Sequence, residues 1–238
     1  MLKKLPKILI FLILAVFLVA GSAIAVPTTL HDILGYEGTQ GYHDTGAEYV
    51  FLTDTDGNND NAVAYLFLES AGFADTNTFG IYSFTMVDDE VVQGEMLEVF
   101  DGAKSPINSA TLAFDIEAGT VENSITGDSR NIGTLFGFYL YCLEQDKTYF
   151  SHPDLNNDEF DHMMIFDTSG SSVSALLGSD VVIAIEDLWG GGDNDFNDMV
   201  VGVSDVAPAV PEPATMLLLG SGLIGLATFG RKKFFKKS

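Results

Sequence analysis

The segment Ile185-Glu186-Asp187-Leu188-Trp189-Gly190-Gly191-Gly192-Asp193-Asn194-Asp195-Phe196-Asn197-Asp198-Met199-Val200-Val201 constrains the fold more than any other part of the chain. An apolar run over 181–185 reads as a buried strand, three glycines free the backbone, and 199–203 resumes the strand pattern. Two short strands joined by a tight loop favour antiparallel sheet over helix. The loop holds Asp193, Asp195 and Asn197 at alternate positions, with Asp198 beside them and Glu186 and Asp187 at the end of the first strand. Carboxylates this dense repel one another unless a cation sits among them, and Ca2+ accepts six to eight hard oxygen ligands. These six residues are therefore the first candidate Ca2+ ligands. A plain acidic hairpin loop, with glycines for turn geometry, is the competing reading.

The rest of the chain repeats the strand signal. Apolar or alternating runs over 62–68, 79–87, 91–100, 111–116, 135–143 and 162–166 are separated by Gly, Asn, Asp and Ser, and no long segment keeps a helical period. The expected fold is all-β, a single antiparallel sandwich or jelly roll over 26–205, with the 18 Phe residues suited to a core between two sheets. The run at 62–68 is nearly continuous, which predicts a strand buried on both faces.

A second acidic loop follows 135–143: His152-Pro153-Asp154-Leu155-Asn156-Asn157-Asp158-Glu159-Phe160-Asp161-His162. Asp154, Asn156 and Asp158 alternate as Ca2+ ligands do, and Asp161 closes the segment, so these four are further candidate ligands. Two histidines beside carboxylates admit Zn2+, although the spacing matches no familiar zinc signature. A carboxylate partner or a strand cap is the other role for His162. An earlier loop, Asp54-Thr55-Asp56-Gly57-Asn58-Asn59-Asp60, starts like an EF-hand, but its glycine comes too early and Tyr65 holds the twelfth position. It reads equally as a Ca2+ loop or an acidic turn.

Both ends of the chain carry export signals. Residues 1–25 have a basic start, an apolar stretch and Ala23-Ile24-Ala25 as a small-x-small cleavage site, which specifies a secretory signal peptide; a retained anchor is the alternative. At the other end, a linker over 206–213 contains Val210-Pro211-Glu212-Pro213. An apolar helix over 214–230 and a basic tail over 231–238 follow. Sixteen apolar residues, 214–229, rise ~24 Å as a helix, enough to span with local thinning and snorkelling lysines, and the basic tail stays cytoplasmic.

Charge follows the same division. Of 11 Lys and Arg, three lie in the first seven residues and five in the tail, leaving 3 basic against 33 acidic residues in 26–205, a net of −30. Such a surface repels nucleic acid and anionic lipid and attracts divalent cations. Cys142 is the sole cysteine, so no internal disulfide forms, and its apolar neighbours predict a buried, inert thiol.

Two resemblances attach to these segments. Glu186-Asp187-Leu188, Gly190-Gly191-Gly192-Asp193 and Asp195-Phe196-Asn197-Asp198 resemble the closing signature of the family called domain of unknown function 4114, found in bacterial secreted and surface proteins. Ser70-Ala71-Gly72-Phe73 with Asn77-Thr78-Phe79-Gly80-Ile81-Tyr82, and Asn156-Asn157-Asp158 with Asp161-His162, fit the same family, so the likeness covers roughly 50–203. It implies a β-rich, Ca2+-associated module without established catalysis. The Pro-Glu-Pro motif, apolar helix and basic tail resemble the PEP-CTERM sorting signal of Gram-negative bacteria. That resemblance implies signal peptidase and then exosortase as export partners, removal of the tail, and delivery to the cell surface, often beside exopolysaccharide. A permanent single-span anchor needs the same topology.

No Gly-x-Ser-x-Gly, His-Glu-x-x-His, phosphate loop or Cys/His nucleophile pattern is present. The expectation is a non-enzymatic, Ca2+-stabilised structural, adhesive or matrix protein. A Ca2+-dependent carbohydrate binder, with Trp189, Tyr42 or Tyr49 stacking on a sugar ring, is the alternative, and a polysaccharide hydrolase using two carboxylates comes after it.

Overall fold

A computed structural model describes residue 34 and residues 42–53, 57, 59–69, 76–101, 109–171 and 176–210. The signal peptide, the sorting helix and tail, the Pro-Glu-Pro motif after Val210, and Asp54, Asp56 and Asn58 of the early acidic loop lie outside the described residues. Among the described residues, no helix is long and apolar enough to cross a membrane.

The described chain folds as two antiparallel sheets packed face to face. Its strands are β1 (Val50–Leu52), β2 (Asn59–Glu69), β3 (Asn77–Val87), β4 (Glu90–Asp101), β5 (Ser109–Asp115), β6 (Thr120–Asn123), β7 (Ser129–Arg130), β8 (Leu135–Cys142), β9 (Lys147–Phe150), β10 (Met163–Asp167), β11 (Val181–Ile185), β12 (Met199–Val203) and β13 (Val206–Pro208). One sheet runs β13-β1-β8-β3-β4, with β9 also paired to β8; the other runs β10-β11-β12-β2-β5-β6-β7. Every strand expected from hydropathy is present.

The core lies between the sheets. Phe79, Ile81, Leu97, Phe136, Phe138 and Leu140 from the first sheet meet Ala62, Leu66, Leu112, Phe114, Ile183 and Val201 from the second. Strand β5 shows the one-sided pattern that this arrangement demands, alternating buried and exposed residues. Strands β11 and β12 are instead buried throughout. A second apolar cluster covers their outer face, in which Leu34, Leu176 and Phe196 pack on Met164, Phe166, Val182 and Val200, with Tyr42, Phe67 and Phe160 against it. Full burial of both faces is the reason 181–185 contains no polar residue. Each Val or Ile so buried contributes ~1.5–3 kcal/mol.

Two expectations change. Residues 62–66 bury only one face, with Ala62, Ala64 and Leu66 inward, while Val63 and Tyr65 stay half-buried on a face that the second cluster reaches only at Phe67. Val206–Pro208, expected to begin the linker, forms β13 and pairs with β1 from Val50↔Pro208 to Leu52↔Val206, so the sandwich runs three residues further. Strands β1, β6, β7, β9 and β13 are two to four residues long, too short for periodicity to reveal.

Candidate metal centre

Strand β11 ends at Ile185 and delivers Glu186 and Asp187 into the interior, where they are 0 % and 2 % exposed. The chain then turns through Trp189–Gly191, a single 3-10 turn, and three successive glycines with positive φ. The last two glycines are sterically required. A Cβ on Gly191 would lie 2.1 Å from Phe160 Cζ, and one on Gly192 would lie 2.3 Å from Glu186 Oε1. The loop thus folds back over Glu186, and Asp193, Asp195 and Asp198 arrive around it before β12 starts.

The five acidic residues expected here converge. Ligating oxygens of Glu186, Asp193 and Asp195 lie within 4.8 Å of one another, and so do those of Glu186, Asp187 and Asp198. Ligands on opposite sides of one Ca2+, each at ~2.4 Å, have that separation. Asn197 lies beside them: its backbone N–H and Nδ2 donate to the two Asp195 oxygens at 3.2 and 2.5 Å and so orient that carboxylate.

Both carboxylate oxygens of Glu186 are buried without a hydrogen-bond partner. Leaving a carboxylate buried and unpaired is costly, and the structure responds by favouring the proton. Burial, reinforced by the charge of Asp198, by a hydrogen bond that the protonated acid makes to Asp198, and by the charges of Asp193 and Asp195, pushes the Glu186 carboxyl up to about 8. Burial raises Asp187 to about 6, with Asp198 adding to the rise and a bond from Asn77 opposing it. Asp195 is raised too, first by burial and then by Asp193 and Asp198 against the Asn197 bonds. A divalent cation would supply what these groups lack, so the donor set, the orphaned oxygens and the glycine cradle fit Ca2+.

The surrounding shell comes from distant strands. Asn77 at the start of β3 donates to Asp187 Oδ2 at 2.8 Å, which ties the first sheet to the end of the second. Gln145 donates to the Asp187 carbonyl at 2.6 Å, and the Asp187 N–H donates to Asp198 Oδ2 at 2.9 Å. His162 donates through Nδ1 to the Glu186 carbonyl at 2.8 Å, while its Nε2 lies 3.0 Å from Asp158 Oδ2. Asn77, Gln145 and Phe160 were not legible as parts of this site, because nothing local marks a polar or aromatic residue as meeting a loop dozens of positions away.

The second acidic loop does not gather ligands. Asn156 is buried, with its Oδ1 accepting from Phe150 N at 2.7 Å and its Nδ2 donating to the Phe150 and Phe160 carbonyls at 2.9 and 2.8 Å. Asp158 accepts from His162, from Gly190 N at 2.8 Å and from Phe160 N at 3.4 Å. Burial alone would raise its carboxyl, but these bonds outweigh it and hold the group below the usual range. Asp161 accepts from Met163 N at 3.2 Å, and Asp154 is exposed. Asn156 and Asp158 are thus committed to their own loop or to bracing the first one, whereas burial, with Asp44 and Glu48 nearby, pushes the Asp161 carboxyl up to about 7. His152 sits elsewhere again, hydrogen-bonded to the Tyr82 hydroxyl and stacked on Tyr49, with Phe84 edge-on. Burial pushes its imidazole down to about 4, a neutral packed ring rather than half of a zinc pair. Cys142 is buried and unpaired, and burial raises its thiol.

Comparison with known proteins supports both resemblances, although Ser70-Ala71-Gly72-Phe73, outside the described residues, and Asn77-Thr78-Phe79-Gly80-Ile81-Tyr82 fall before the matched segment. The domain of unknown function (DUF4114) family matches residues 111–205, and the PEP-CTERM protein-sorting motif matches 209–233. No curated protein and no solved structure matches the chain. The first match contains the whole carboxylate cluster and ends just before β13; the second implies processing by exosortase and export to the cell surface of a Gram-negative bacterium. The chain is a PEP-CTERM sorting-signal surface protein, an exosortase substrate, carrying a β-sandwich domain that resembles DUF4114.

Proposed function

We propose that this exported protein is a non-enzymatic, Ca2+-stabilised structural or adhesive component of the cell surface or extracellular matrix. The observation that carries the reading is Glu186, wholly buried with both oxygens unpartnered at the meeting point of four other carboxylates. Extracellular Ca2+ in the millimolar range suits such a site, because extracellular modules bind it at ~0.1–1 mM. Ion binding would then lock the sandwich only after export. The net −30 of 26–205 also favours exopolysaccharide as a partner, joined through divalent bridges rather than by direct contact.

The test is thermal unfolding of the full chain in detergent with chelator and with ~10 mM Ca2+. Affinities of ~0.1–1 mM give about 1.4–2.7 kcal/mol of stabilisation, a rise of ~3–10 °C in Tm. Glu186→Gln is expected to lose the rise, and Asp88→Asn, in an exposed turn, to keep it. An equal response in both variants would overturn the metal assignment, and turnover of exopolysaccharide would overturn the non-enzymatic one.

One observation favours carbohydrate binding as a second reading. Trp189 is 49 % exposed beside the carboxylate cluster, although Lys147 Nζ lies 4.5 Å from its ring centroid and occupies one face. Chelator-sensitive binding to a glycan array would support it.

A further inference from the structure

The five carboxylates do not form a single ring of ligands. They divide into two triads, Glu186 with Asp193 and Asp195, and Glu186 with Asp187 and Asp198, and only Glu186 belongs to both. The outer triad opens to solvent through the exposed Asp193, whereas the inner one is backed by buried Asp187 and its Asn77 partner. We infer that the cluster binds two divalent cations, an outer and an inner one, with the Glu186 carboxylate bridging them. This rests on the Ca2+ reading above and goes beyond it in number and arrangement.

Three observations support two ions over one. Glu186 presents two oxygens, both buried and neither accepting from a protein N–H, and its carboxylate is the one group that belongs to both triads. One divalent cation among five carboxylates would leave three negative charges facing one another in a poorly solvated space; two leave one. Each triad also supplies three residues, which leaves room for water or backbone oxygens to complete a Ca2+ shell of six to eight. The outer ion, with Asp193 exposed, retains water and exchanges with solvent; the inner ion is enclosed by the ends of both sheets.

Equilibrium dialysis of the full chain in detergent against radioactive Ca2+ at millimolar concentration tests this by difference. Weak binding to the acidic surface is common to wild type and Glu186→Gln, so subtraction removes it. Wild type is expected to hold two more Ca2+ per chain than Glu186→Gln. Asp193→Asn and Asp187→Asn should each lose one, and the double variant both. A difference of one between wild type and Glu186→Gln overturns the bridged pair while leaving a Ca2+ site in place; a difference of zero overturns both readings. The count on wild type does not depend on how the Asp187 variant folds. Terbium luminescence sensitised by Trp189, the sole tryptophan, gives an independent count: two phases on titration are expected, and a single phase saturating at one equivalent contradicts the proposal.

Discussion

The two acidic loops look alike as sequence and differ in what their oxygens do. In the loop after β11, Glu186 is buried with no N–H donor on either oxygen and the Asp198 carboxyl beside it. In the loop between β9 and β10, Asn156 makes three hydrogen bonds, Asp158 three, and Asp161 one. Glu186 has spare acceptors with no N–H donor on them, which is the condition for a cation site; in the second loop Asn156 and Asp158 have spent theirs on backbone and His162. Alternating acids do not distinguish the two cases, and a partner inventory does. The loops also depend on each other, since Asp158 holds Gly190, His162 holds the Glu186 carbonyl, and Phe160 lies beneath Gly191.

That dependence gives the largest expected effect. Gly191→Ala adds a Cβ at 2.1 Å from the Phe160 ring at a backbone φ of +83°. Left-handed strain and overpacking together predict a loss of roughly 2–5 kcal/mol, measurable by denaturant unfolding, and a weakened Ca2+ response. If Gly191→Ala is as stable as wild type, the first loop does not rest on the second.

Asn156→Ala separates bracing from ligation. It strands one N–H and two carbonyls and should cost roughly 2–3 kcal/mol, while the Tm increment on adding Ca2+ stays at its wild-type size. Loss of the increment with little loss of stability would return Asn156 to the ligand set.

The smallest effect concerns pH. His152 is depressed to about 4 by burial, below its unfolded value of 6.5. The unfolded chain therefore takes up a proton first as pH falls, so the stability is intact above 6.5 and is lost progressively towards 4. That amounts to about 2 kcal/mol at pH 5. His152→Gln, which keeps an acceptor for Tyr82, should flatten this acid limb in urea unfolding series. An unchanged limb would mean that another group governs it.

The sequence by itself determined the eight longer strands, the two-sheet class and the sorting signals, because each is written in local order: period-two hydropathy, short polar turns, and a Pro-Glu-Pro motif followed by apolar and basic runs. It also placed Glu186, Asp187, Asp193, Asp195 and Asp198 in one cluster, since an antiparallel pair joined by a glycine turn must bring its ends together. Short edge strands escaped it. Strand β13 exists only because β1, more than 150 residues earlier, offers an unpaired edge to Val206–Pro208. The tertiary structure alone decided which oxygens remain free. Asn77 reaches Asp187 across 110 residues, His162 reaches the Glu186 carbonyl across 24, and Asn156 closes on Phe150 and Phe160. Hydrogen bonding is a competition for a fixed number of donors, and the winners are set by which elements pack together, a property that no local spacing of acids encodes.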